Sequence, residues 1–132
     1  MFLPALRFLP MLAVATMSAS CAVTPQKLIE NGEEFRYTSS ANPLDTAWCM
    51  GRSADEMHTM WKSRVRPMDS PGTTEMLVKL VIGPPSAVAV AHLEPIASGS
   101  SGSDVTLWIS RNPPYGGRNT LRERLIGDCS MK

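Results

Sequence analysis

Four stretches of the chain alternate apolar and polar residues with the period of two that is typical of β-strands. They span residues 61–66, 75–82, 88–93 and 105–109, and a weaker alternation over 33–38 is compatible with a further short strand. Gly, Pro and Ser separate the stretches, and most connections are short, which favours antiparallel pairing. The pattern therefore predicts a small antiparallel sheet of about four strands.

A helix is predicted before these strands. Asn42 suits the N-cap position, where its side chain accepts from an unpaired backbone N–H, and Pro43 suits the first helical position. Apolar residues continue through Met50. Gly51 is a poor helix former, so we expect the helix to end by about Ser53.

A second helix is predicted at the carboxyl end. Thr120 suits its N-cap, and Leu121, Leu125 and Cys129 recur every four residues on one side of a helix. Both helices must bury their apolar sides, so we expect them to cover the same face of the sheet. The sequence thus predicts one small α+β domain over residues 42–132, with the sheet flanked by an N-terminal and a C-terminal helix.

Residues 1–20 have the composition of a cleaved export signal. Arg7 supplies a positive charge, an apolar run covers 8–17, and small residues occupy 18–20. The apolar run is shorter than the roughly 20 residues that span a membrane, and it contains Pro10. We therefore expect a signal peptide over 1–20 and an exported mature chain.

Cys21 follows those small residues in an order that resembles the lipobox of bacterial lipoproteins, with Ser18 where that family usually has Leu. The resemblance implies cleavage by signal peptidase II and a diacylglyceryl group on Cys21, with residues 21–41 as an acylated tether. Ala22 is not the Asp that favours inner-membrane retention in enteric bacteria. The implied location is the periplasmic face of the outer membrane. Ordinary signal cleavage nearby is the alternative.

The charges of the mature chain balance. The whole sequence has 13 Lys and Arg against 12 Asp and Glu, and removal of the signal takes away one basic residue. A neutral domain lacks the basic surface that is typical of nucleic-acid binding, so we expect no nucleic-acid partner. It also has no overall attraction to anionic lipid, which leaves the acyl group as the expected membrane anchor.

The sequence contains three cysteines, and export would place them in an oxidising compartment. If Cys21 is acylated, Cys49 and Cys129 remain, and each lies on a helix that should face the core. We expect them to be buried and to form a disulfide. The bond would close a loop of about 80 residues, for which the chain-entropy model gives roughly 4 kcal/mol. Two unpaired thiols are the alternative.

The sequence contains few combinations of residues that are typical of enzyme active sites. His58 and His92 are the only histidines, and neither has a Ser or Cys nucleophile in a recognisable arrangement. No Gly-rich phosphate loop is present. We expect His92 to be a strand residue whose ring is hydrogen-bonded or half-exposed. We predict a non-enzymatic protein that uses no cofactor.

Met57, His58 and Met60 form the one candidate metal site, because thioether and imidazole groups are donors that Cu(I) selects. Their composition resembles that of small periplasmic copper and silver chaperones, without the spacing of those proteins. The same methionines can instead be core residues that pack where the chain enters a strand, which is the interpretation we prefer. We therefore predict no metal site, with a soft-metal binding protein as the alternative function.

Lys62, Arg64 and Arg66 should share one face of the strand over 61–66. Such a stripe could receive acidic groups of a partner, although a solvated strand face is the simpler explanation. Trp108, on the fourth predicted strand, is a further candidate contact residue, although packing of its ring under the helices is the interpretation we prefer. These four residues form the predicted partner surface.

With these elements placed, the chain resembles the small, largely uncharacterised lipoproteins of proteobacterial envelopes. The likeness lies in Cys21 after the signal, the helix segment AWCMGR, the strand segment SDVTLWIS and the terminal helix LRERLIGDC. Secretin pilotins and accessory lipoproteins of the outer-membrane protein assembly machine share this outline. The resemblance implies an envelope assembly, secretion or stress accessory that acts through contact with an envelope protein.

Overall fold

The computed structural model describes residues 23–82, 86–96, 101–113 and 117–129. Within these ranges, the strands are β1 (Glu33–Ser39), β2 (Trp61–Pro67), β3 (Thr74–Leu80), β4 (Ser86–Pro95) and β5 (Ser103–Ile109). These five strands form one antiparallel sheet in the order β1-β5-β4-β3-β2. The helices are α1 (Pro25–Asn31), α2 (Pro43–Met57) and α3 (Arg118–Arg122), and a π-helical turn, Glu123–Gly127, continues α3. The predicted α+β class is confirmed.

The main core lies between one face of the sheet and two helical elements. From α2 and from the carboxyl-terminal turns it takes Ala47, Met50, Ala54, Leu121, Leu125 and Cys129. From the sheet it takes mainly Trp61, Met76, Val78, Leu93, Leu107 and Ile109. The two predicted helices therefore do cover the same face.

A smaller apolar cluster lies on the opposite face, under α1. It consists of Leu28 from the helix and Leu77, Ala87, Val90 and Trp108 from the sheet. β4 contributes apolar side chains to both faces, because successive strand residues point to opposite sides. A β-bulge interrupts this alternation once: Val78 pairs with Ala89 while Lys79 pairs with Ala87, and the consecutive residues Val88 and Ala89 both join the main core.

The segment predicted as a tether, 21–41, contains two folded elements, which corrects the predicted domain boundary at residue 42. Thr24 is the N-cap of α1, and its side chain accepts from the Lys27 N–H. β1 pairs with β5 along its whole length, from Glu33 opposite Ile109 to Ser39 opposite Ser103. β1 lies at the edge of the sheet and is only half-buried. The alternation of apolar and polar residues that marks it in the sequence is therefore weak.

Both predicted helices differ from expectation at one end. α2 passes through Gly51 and ends at Met57 rather than by Ser53. Tertiary contact outweighs the low helix propensity here, since Gly51 is buried against β2. The N-cap of α3 is Gly117, and Thr120 lies inside the helix.

The predicted signal peptide and Cys21 lie outside the described residues. In the described ranges, no helix is both long enough and apolar enough to cross a membrane.

Candidate functional site

The structure confirms the disulfide between Cys49 and Cys129, whose Cα atoms lie 5.6 Å apart. Cys129 is fully buried, but Cys49 is only partly buried, which corrects the expectation that both would be. Successive residues of a helix point about 100° apart. Because Ala47 and Met50 point into the core, Cys49 lies on the flank of α2 and meets the end of the carboxyl-terminal turns there.

A groove lies between the first turns of α2 and the connection from β2 to β3. It has a volume of about 500 Å³ and includes Leu44, Trp48, Val65, Pro67 and Pro71. Leu44 and Trp48 are one helical turn apart, and 51% and 54% of their surfaces remain exposed. We call this feature the hairpin groove. It presents apolar surface that the fold itself leaves uncovered.

The connection between β2 and β3 gives the hairpin groove a fixed wall. The Thr73 N–H donates to the Ser70 carbonyl at 3.1 Å, and the Met68 N–H donates to the Thr73 carbonyl at 2.9 Å. Pro71 and Gly72 occupy the two central positions of this turn, and Gly72 has φ +76°. That combination defines a type II turn, in which only a residue such as glycine tolerates the positive φ.

The predicted basic stripe is present on the sheet face opposite α2. Lys62, Arg64 and Arg66 are all exposed there. Arg66 is paired: its Nε donates to Glu75 Oε1 at 2.8 Å, and Glu75 Oε2 lies 3.1 Å from His92 Nε2. The Glu75 side chain is only 7% exposed, and a buried carboxylate requires such partners. Arg66 and His92 therefore have a structural role.

Trp108 lies on the same face as the basic stripe but is not accessible. It is 9% exposed and packs in the cluster under α1. The rings of Trp108 and His92 pack edge to face, and their centroids lie 5.0 Å apart. The ring does pack under a helix, as the preferred interpretation has it, although the helix is α1 rather than either of the two predicted ones.

The residues of the alternative metal site lie together in the connection between α2 and β2. Met57 is the last residue of α2 and His58 is its C-cap. His58 Nδ1 accepts from the Met60 backbone N–H at 3.0 Å, so this ring nitrogen already has a structural partner. In the described part of the chain, no group of three or more His, Cys, Asp or Glu could hold a metal ion.

Sequence reasoning did not identify Leu44 and Trp48 as candidate site residues. The signal was the uninterrupted apolar run Ala47, Trp48, Cys49 and Met50. Four consecutive helical residues point in four directions, so they cannot all face one core. One of them had to remain exposed or meet a second partner.

No protein family, curated protein or solved structure matches this chain. The site must therefore be interpreted from its own geometry.

Proposed function

We propose that this protein is a lipid-anchored protein on the periplasmic face of the outer membrane. It acts without catalysis, as an assembly, secretion or stress accessory, through contact with another envelope protein. The exposure of Leu44 and Trp48 beside the hairpin groove is the observation that carries this proposal. Large apolar side chains that cluster on a surface are typical of protein interaction sites.

The groove has the composition of a contact site. Tryptophan is among the residues that contribute most to protein–protein affinity, especially where a pocket surrounds it. Trp48 and Leu44 are neighbours on the helix surface, and two backbone hydrogen bonds close the proline-containing hairpin opposite them. A preformed wall reduces the entropy lost when a partner binds.

The position of the groove suits a protein held at its amino end. Val23 is fixed to the start of β4, since its N–H donates to Ser86 Oγ at 3.1 Å and its carbonyl accepts from the Ala87 N–H at 2.8 Å. β2 and β3 connect at the other end of the sheet. A seven-residue strand is about 23 Å long, so the groove would point away from the membrane.

The residues of the groove also indicate what the partner should contain. Leu44 and Trp48 present exposed apolar side chains, so the partner should contact them with apolar side chains of its own. We infer that the partner presents a segment with exposed apolar residues.

Site-specific photo-crosslinking in the native host tests this proposal. A photoreactive amino acid in place of Trp48 should form an adduct with one envelope protein, and the crosslinked peptide should contain apolar residues. Adding Leu44→Ser should remove the adduct. Glu56 is exposed near the other end of α2 and serves as the control position, where no adduct should form. Equal labelling at both positions, or no adduct at Trp48, would contradict the proposal.

A further inference from the structure

The two remaining exposed large apolar residues lie at the end of the sheet opposite the hairpin groove. Among the described residues, only Leu44, Trp48, Val81 and Ile82 belong to this class, and Val81 and Ile82 are each 49% exposed. They directly follow β3. The Val81 N–H donates to the Met60 carbonyl at 2.9 Å, so the position of Val81 beside the start of β2 is fixed.

This end of the sheet is also where the predicted lipid anchor attaches. Leu80 pairs with Ser86, and Ser86 Oγ accepts from the Val23 N–H. Cys21 is two residues before Val23, and two residues of extended chain span at most about 7 Å. An acyl group on Cys21 would therefore hold this end close to the bilayer.

Two lysines lie beside the exposed apolar pair. Lys62 and Lys79 are opposite each other on β2 and β3, and opposed like charges destabilise a sheet. Lys62 is exposed and Lys79 is partly exposed. No ion pair among the described residues includes either of them. Anions outside the domain would relieve their repulsion.

We propose that Lys62, Lys79, Val81 and Ile82, here named the basal surface, rest on the bilayer. The lysines would contact anionic phospholipid headgroups, and the two apolar side chains would enter the interface. The chain is neutral overall, so this attraction is local to one end. The inference rests on the proposed acylation of Cys21, and it adds a fixed orientation in which the hairpin groove faces the periplasm.

The acylated protein in vesicles of phosphatidylglycerol mixed with brominated phosphatidylcholine tests the orientation. Bromine quenches tryptophan fluorescence on close approach. We expect strong quenching of the tryptophan added by Ile82→Trp and none of that added by Leu44→Trp, a matched control because Leu44 is equally exposed at the other end. Equal quenching of the two would overturn the proposal.

Sedimentation of the mature chain carrying Cys21→Ser separates this surface from the lipid anchor. It should bind phosphatidylglycerol vesicles, and Lys62→Gln with Lys79→Gln should weaken binding by about fivefold per lysine. Arg52→Gln with Arg124→Gln removes the same charge from exposed positions elsewhere and should have little effect. Equal weakening by the two pairs, or equal binding to vesicles of phosphatidylcholine alone, would overturn the proposal even if Cys21 is acylated.

Discussion

Gly51 of α2 lies so close to Ser63 of β2 that a Cβ atom on Gly51 would be 2.7 Å from Ser63 Oγ. That hydroxyl donates to Asp55 Oδ2 at 3.0 Å, and the Ser63 N–H donates to Asp55 Oδ1 at 2.7 Å. α2 is thus held against an edge strand by one carboxylate, at a point where only glycine leaves enough space. The same carboxylate occupies a backbone donor of that edge, which protects it from pairing with another chain.

Gly51→Ala should destabilise the domain, although alanine is the better helix former. The gain in helix propensity is about 1 kcal/mol, whereas overpacking costs about 1–3 kcal/mol and displaces Ser63 from Asp55. We expect a net loss of about 1 kcal/mol in urea unfolding. Gly127→Ala is the control, because nothing lies within 4 Å of its added Cβ. If the two variants are equally stable, the close packing of α2 on β2 is wrong.

Loss of the disulfide should lower the melting temperature. The chain-entropy model gives roughly 4 kcal/mol for this loop. If half of that is realised, Cys49→Ser with Cys129→Ser should melt about 10 °C lower. A reductant should lower the melting temperature of the natural chain by a similar amount and leave the double variant unchanged. A natural chain that is insensitive to reductant would show that the sheet and helices suffice without this bond.

Tyr37 should make the domain less stable at alkaline pH. Its hydroxyl donates to Met50 Sδ at 3.4 Å, and burial raises the pKa of this phenol well above its ordinary value. The unfolded chain loses the phenolic proton above about pH 10 while the folded chain keeps it. The free energy of unfolding should therefore fall as pH rises above 10, by at most about 1.4 kcal/mol per pH unit.

Tyr37→Phe should make this alkaline decline less steep, and urea unfolding at a series of pH values measures it. At neutral pH the variant should lose only about 0.5–1 kcal/mol, the net value of one hydrogen bond. Parallel pH profiles for the two proteins would contradict burial of the Tyr37 hydroxyl.

Met57, His58 and Met60 should not form a functional metal site. The Met60 N–H already donates to His58 Nδ1, so binding through that nitrogen would break a contact that shapes the turn. Titration with Cu(I) should show no sub-micromolar binding. If such binding occurs and disappears with Met57→Ala and His58→Ala, the alternative function as a soft-metal protein is correct.

The sequence predicted those elements of the fold that regular local patterns mark. Alternation located β2 to β5, and Asn42 and Pro43 located the start of α2, because these signals depend on nearby residues. Leu28 is the only fully buried residue of α1, so a helix of seven residues left almost no pattern to detect. Its packing on Trp108 is a long-range contact, which no local pattern encodes.

The candidate site was harder to predict than the fold. The basic stripe followed from strand alternation, but the burial of Glu75 depends on Arg66 and His92 from neighbouring strands. The hairpin groove requires the register of β2 and β3 together with the position of α2. Its apolar residues look like ordinary core residues in the sequence, because exposure is decided by tertiary packing.

Intact-mass spectrometry of the protein extracted from the membranes of its native host tests the lipid anchor most directly. We predict a mature chain that begins at Cys21, carries a diacylglyceryl group and lacks the two hydrogens lost in the bond between Cys49 and Cys129. A mature chain that begins at another residue and carries no acyl group would contradict the proposed anchor and the orientation inferred from it.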